Sequence, residues 1–140
     1  MNPCGQINGA YVVAYTPDKD YYGPDSFEYK ICDDQGACSP TYAATVDVAP
    51  VNDPPQAAEL EFLAKKGMQT GWKAPIVLDP DPNQTFTLSI VWHGTNLTPT
   101  VDPTGTRISA LPSPSFSGNT SFKYNVCDQD NACLMAEAKV

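Results

Sequence analysis

Four of the five cysteines in this chain stand in two copies of one phrase. "ICDDQGAC" occupies residues 31–38 and "VCDQDNAC" residues 126–133. Each phrase sets two thiols beside acids, Asp33 and Asp34 in the first, Asp128 and Asp130 in the second. Such residues serve three chemistries. Facing thiols close a disulfide when two strands bring their Cβ atoms together. Four converging ligands hold zinc. A redox-active pair normally has the tighter C-x-x-C spacing. Other reactive residues are sparse. His93 is the sole histidine; it lies in "WHGTN" with no Ser or Cys placed to use it as a base, and it reads as a turn residue. Trp72 and Trp92 could form a sugar-stacking platform, but Trp92 alternates with core residues, so its burial is expected. Asn83, Asn96 and Asn119 begin Asn-x-Ser/Thr sequons, which matter only in a eukaryotic secretory route. There is no nucleophile–base constellation, phosphate loop or basic stripe, so an enzyme is not expected.

The elements that position these residues repeat. Cys32 and Cys127 are 95 residues apart, as are Cys38 and Cys133. The same offset gives ten identities, without a gap, between 15–45 and 110–140, including Pro17 with Pro112, Phe27 with Phe122, Tyr29 with Tyr124 and Ala43 with Ala138. A period that long is domain-sized. In the second copy, "FTLSIVW" sets Phe86, Leu88, Ile90 and Trp92 on one face, and "SFKYNV" alternates Phe122, Tyr124 and Val126 with polar residues. Period-two alternation means strands with one buried face. Seven strands are predicted, at 58–64, 72–78, 86–92, 97–101, 107–110, 121–127 and 133–140, punctuated by "DPDPNQ", "HGTN", "DPTGT" and "SPSFSGN". That spacing predicts an all-β, immunoglobulin-like β-sandwich over 57–140. Residues 1–48 keep only "AYVVAY", "SFEYKIC" and "CSPTYAATVDV", the last three strands of such a domain, and 49–56 form a Pro-rich link. Three strands cannot cover a sandwich core. The first segment is therefore expected to be marginal alone, packing on a neighbour or pairing edge to edge with another copy.

On this layout each C-x5-C flanks the tight turn between the last two strands. We expect Cys32–Cys38 and Cys127–Cys133 disulfides, since each turn has two thiols and the pairs lie in different domains. Closing so small a loop stabilises by roughly 2–3 kcal/mol. Cys4 is left over, with its partner expected in the missing half of the first domain. Paired cysteines favour an oxidising compartment. The first residues do not read as a secretory signal, so the export signal is expected outside this chain. The net charge of −8 argues against nucleic acid as a partner, and no apolar run is long enough for membrane insertion. Proline, at 14 of 140 residues, suits short strands and turns over helices.

"YTPDKDYYGPDSFEYKICDDQGAC", followed by "AATVDVAPVNDPP", resembles the bacterial cadherin-like, or bacterial Ig-like, tandem repeats of large secreted and cell-surface proteins. Tyr15-Thr16-Pro17, Gly23, Asp25-Ser26-Phe27, Tyr29, Asp33, Gly36 and Val51-Asn52-Asp53-Pro54 carry the likeness; the second copy fits more loosely, with Asn131 in place of the turn glycine. The resemblance implies a Greek-key Ig/cadherin-like sandwich with a structural or adhesive role. It also implies that Asn52 and Asp53 meet Asp79 and Asp81 at one end of the domain, offering calcium a partial oxygen shell with Asp128 as a further ligand. The bland alternative is that these acids form turns. The turn acids Asp33, Asp34, Asp128 and Asp130 lack the spacing of an EF-hand. The expected function is a non-catalytic spacer or stalk module of an extracellular, adhesin-type protein, calcium-stiffened if the shell forms, with neighbouring repeats as partners. The alternative is a module binding a cell-surface glycan or protein. An enzyme would require Asp79 and Asp81 to face Asp128 across a pocket.

Overall fold

Alternating apolar residues need a second layer to bury against, and this chain supplies that layer to one of its two repeats. The structure, a computed structural model, describes residues 5–7 and 10–140. It divides into two compact units, Met1–Val51 and Asn52–Val140. All regular elements are strands.

In the first unit, β1 (Gly5–Ile7) pairs antiparallel with β2 (Ala10–Val12), and β3 (Gly23–Tyr29) with β4 (Tyr42–Val48). Each sheet has two strands. Among residues 12–51 of this unit none is buried. Tyr15, Phe27, Tyr29 and Tyr42 form a stripe with successive ring centroids 6.1, 6.5 and 5.9 Å apart. The gapless correspondence with the second repeat fails at β4. Phe27 stands opposite Ala44, whereas Phe122 stands opposite Ala138, the counterpart of Ala43. One extra residue enters near Pro40, which has no N–H to give the ladder. The slip turns Ala44, Val46 and Val48 toward the Phe27 side and leaves Ala43, Thr45 and Asp47 exposed.

The second unit has two layers. One is a four-stranded sheet in the order β6 (Leu60–Glu61), β12 (Cys133–Lys139), β11 (Ser121–Cys127), β8 (Thr87–His93). Its strands are antiparallel except β6, which runs parallel to β12. The other layer contains β9 (Leu97–Val101) with β10 (Ile108–Pro112), and β5 (Gln56–Ala57) with β7 (Val77–Leu78). Lys73 exchanges both backbone hydrogen bonds with Ile108, which ties the segment before β7 to β10. Between the layers lie Leu60, Phe62, Leu88, Leu97, Ile108, Ala110, Phe122, Tyr124, Val126 and Ala138.

Three expectations change. The single strand at 58–64 is regular only at Leu60–Glu61, and a separate two-residue strand, Gln56–Ala57, forms in the other layer just before it. The strand at 72–78 is regular only at Val77–Leu78, because Pro75 cannot donate to a ladder. Trp92 is not buried. Tyr124 pairs with Ile90 but Lys123 pairs with Trp92, so Val91 is an extra residue, a β-bulge. Beyond it Trp92 faces outward with Lys123 and is 52% exposed.

The turn between β9 and β10 is organised by Asp102, which is only 4% exposed. Its Oδ1 accepts the N–H groups of Thr106 and Arg107 at 2.9 and 3.0 Å. Its Oδ2 accepts the Thr104 hydroxyl at 2.7 Å and Arg107 Nε at 3.0 Å. Burial pushes this carboxyl's pKa up, but the four donors outweigh burial and hold it well below the usual range. A carboxyl held low in the folded state stabilises fully above its unfolded pKa, and that stability is lost as pH falls. Asp102→Asn should therefore flatten the fall in the denaturation midpoint below about pH 4. Tryptophan fluorescence reads this unit alone, since Trp72 and Trp92 both lie in it; an unchanged pH slope would remove Asp102 as the source.

Candidate functional site

β11 ends at Cys127 and β12 begins at Cys133, directly opposite each other and joined as a disulfide. The turn between them is built on Asp128. Its N–H donates to Ala132 O at 3.0 Å, and its Oδ1 accepts the N–H groups of Asp130 and Ala132, both at 2.9 Å. Asn131 takes the left-handed conformation, with φ of 68°. Asparagine tolerates that region through local hydrogen bonding. The first unit repeats the device. Cys32 is joined to Cys38, Asp33 Oδ1 accepts the N–H groups of Gln35 and Ala37 at 3.0 and 2.8 Å, and Gly36 takes φ of 87°. Glycine pays no Cβ penalty there. The acid in each phrase is thus the acceptor that closes the turn.

In the second unit Asp128 does more. It is 3% exposed, and its Oδ2 accepts the side-chain amide of Asn52 at 2.8 Å, across 76 residues. Next to this contact, the Asp53 N–H donates to Asp81 Oδ2 at 2.8 Å, and the Asp81 N–H donates to Asp79 Oδ1 at 2.8 Å. Gln84 Nε2 stands 3.4 Å from Asn52 Oδ1 and 3.5 Å from Asp130 Oδ2. Asn52 and Asp53 are therefore strapped to two loops, the 128–132 turn and the 79–84 loop. Gln84 was not foreseen, since nothing in "DPDPNQT" marks its side chain as the bridge.

All five residues expected to offer calcium a shell thus gather at one end of the unit. Several of their oxygens are engaged by N–H donors. Both Asp128 oxygens and Asp81 Oδ2 already accept N–H groups. Among the described residues no three Cys, His, Asp or Glu side chains converge as a metal group. Calcium needs six to eight oxygens, and the engaged ones would have to give up their N–H donors to join such a shell. Two buried oxygens here lack a partner, Asp79 Oδ2 and Gln84 Oε1.

Asp79, Asp81 and Asp128 line neither of two grooves in the unit. Grooves of about 690 and 460 Å³ lie at the other end of the unit, against Phe62, Leu63, Asn119 and Val140. Neither groove is lined by Trp72 or Trp92. His93 closes β8, with its Nδ1 3.1 Å from Gly94 O. Cys4 lies outside the described residues.

A family model described as a bacterial Ig domain matches residues 2–49 and, again, 52–140. No curated protein matches the chain. The strap at Asn52 and Asp128 is testable by a double-mutant cycle. Asp128→Ala should cost about 2–3 kcal/mol and Asn52→Ala about 1 kcal/mol in fluorescence-monitored unfolding. Together they should cost less than the sum, because they remove one shared bond. Strictly additive losses would show that the two side chains do not interact.

Proposed function

The chain belongs to the bacterial Ig domain family, and we propose that it serves as a non-catalytic spacer module in an extracellular, adhesin-type repeat array. One observation carries the reading: among the described residues, the cysteines and the acids Asp33, Asp81, Asp102 and Asp128 are engaged by the fold. Four thiols are closed into two disulfides. Asp79, Asp81 and Asp128 accept backbone and amide N–H groups. Disulfides suit an exported protein, since reducing compartments keep thiols open. The strap at Asn52 and Asp53 is what a spacer needs, because it fixes the first residues of the second unit onto its body and shortens the free link. Neighbouring repeats are then the natural partners.

Calcium stiffening is the finer question, and the unpartnered Asp79 Oδ2 and Gln84 Oε1 favour it. Spin labels on unnatural side chains, one in each unit, separate the two versions. A distance distribution that is narrow in chelator and broadened by Asn52→Ala fits a strap that works by hydrogen bonds alone. Narrowing only on adding millimolar calcium would assign the stiffness to the ion. A broad distribution under every condition would sink the spacer reading.

The alternative, a glycan- or protein-binding module, has Trp92 in its favour, turned outward by the bulge. Exposed aromatic rings supply contact area at low entropic cost. Staining of a glycan array by the labelled chain, lost in Trp92→Ala, would establish it; no staining would leave the glycan version without support.

A further inference from the structure

The disulfide between Cys127 and Cys133 closes residues 127–133 into a ring. The ring joins a surface group to a buried one. Cys133 is exposed and Cys127 half-buried, whereas Asp128 is only 3% exposed. Inside the ring, Asp128 Oδ1 accepts the N–H groups of Asp130 and Ala132, and the Asp128 N–H donates to Ala132 O. These three bonds and the disulfide hold the same short stretch of backbone. Two side-chain contacts leave the ring. Asp128 Oδ2 accepts the Asn52 amide at 2.8 Å, and Asp130 Oδ2 faces Gln84 Nε2 at 3.5 Å. Gln84 Nε2 also stands 3.4 Å from Asn52 Oδ1, so both contacts lead to Asn52. The next residue, Asp53, is tied through its N–H to Asp81.

A bond between distant residues is strongest when its ends are held in place beforehand. A closed ring holds Asp128 Oδ2 ready for Asn52. An open loop of the same residues must first be ordered, at a cost in conformational entropy. By linkage the effect is reciprocal: a strap that is tighter when the ring is closed also resists opening of the ring. We propose that Cys127–Cys133 is a redox switch for the strap, in which reduction at the exposed hairpin loosens the hold of Asp128 on Asn52. The reductant is a dithiol. Its thiolate attacks the exposed Cys133 sulfur, a mixed disulfide forms, and the Cys127 sulfur leaves and takes up a proton. The second thiol of the reductant then closes that reductant's own disulfide and releases Cys133 as a thiol. Two electrons pass to the protein. Six further residue pairs between β11 and β12 hold the hairpin, so the change is confined to the turn. The switch depends only on bonds within the second unit, so it stands whether or not the array is a spacer.

The test uses the full chain with Cys4→Ser, so that no third thiol takes part. The protein is equilibrated in graded mixtures of oxidised and reduced dithiothreitol and quenched by alkylation. Peptide mass spectrometry then reads the two cysteine pairs separately. Asn52→Ala should make Cys127–Cys133 about threefold easier to reduce and leave Cys32–Cys38 unchanged. Asp102→Asn, which perturbs the turn between β9 and β10 of the same unit, should shift neither pair. Hydrogen exchange reads the strap itself. Reduction of the chain that retains Asn52 should speed exchange about fivefold or more in peptides covering Asn52 and Asp53. Peptides of β10 should hold, and tryptophan fluorescence should stay native. Equal reducibility with and without Asn52→Ala overturns the proposal. So does an equal shift in Asp102→Asn, which would trace the effect to overall stability. Reduction that leaves exchange at Asn52 and Asp53 unchanged, or that unfolds the whole unit, overturns it as well.

Discussion

A strand that alternates apolar and polar residues has one face that must be covered, and everything in this chain follows from whether the cover is present. Burying a large apolar side chain contributes about 1.5–3 kcal/mol. The second unit collects that contribution from Phe122, Tyr124 and Val126 on β11, and from Leu60, Phe62, Leu88, Leu97 and Ile108 around them. The first unit carries Phe27 and Tyr29 at the matching places, with none of residues 12–51 buried. Near-identical strands thus end in a closed sandwich and in an open pair of sheets. The difference is long-range cover, not local propensity.

Within the closed unit, polar chemistry is used to hold ends. Asp128 closes the last hairpin with one oxygen and holds Asn52 with the other. Asp102 does the same work in the turn between β9 and β10, where four donors converge on one buried carboxylate. A buried charge without partners would be costly; with them it ties several backbone groups to one point. Acids that look like ligands in the sequence are here acceptors for N–H groups. The same carboxylate oxygens cannot also saturate a calcium ion without giving up those donors.

Much of this was legible. The two C-x5-C phrases, the 95-residue period and the alternation of 121–127 and 133–139 are local patterns, and local patterns survive folding. The strand at 97–101 sits where its residues placed it. The errors have a common physical form. Alternation predicts a face only while the ladder stays in step. One bulged residue, Val91, turned Trp92 from core to surface. One unpaired step near Pro40 shifted β4 against β3, so that Ala44 and not Ala43 faces Phe27. The change of layer between β5 at 56–57 and β6 at 60–61 is likewise invisible locally, because both read as extended chain.

The sequence by itself determined the class of fold, the 95-residue repeat and the disulfide turns. It could do so because strand alternation, turn residues and paired cysteines act over fewer than ten residues each. Only the tertiary structure decided which face Trp92 takes, that Asn52 reaches Asp128 and that Gln84 bridges the loops. Those outcomes depend on register and on contacts between residues far apart in the chain, where a shift of one residue reverses the answer.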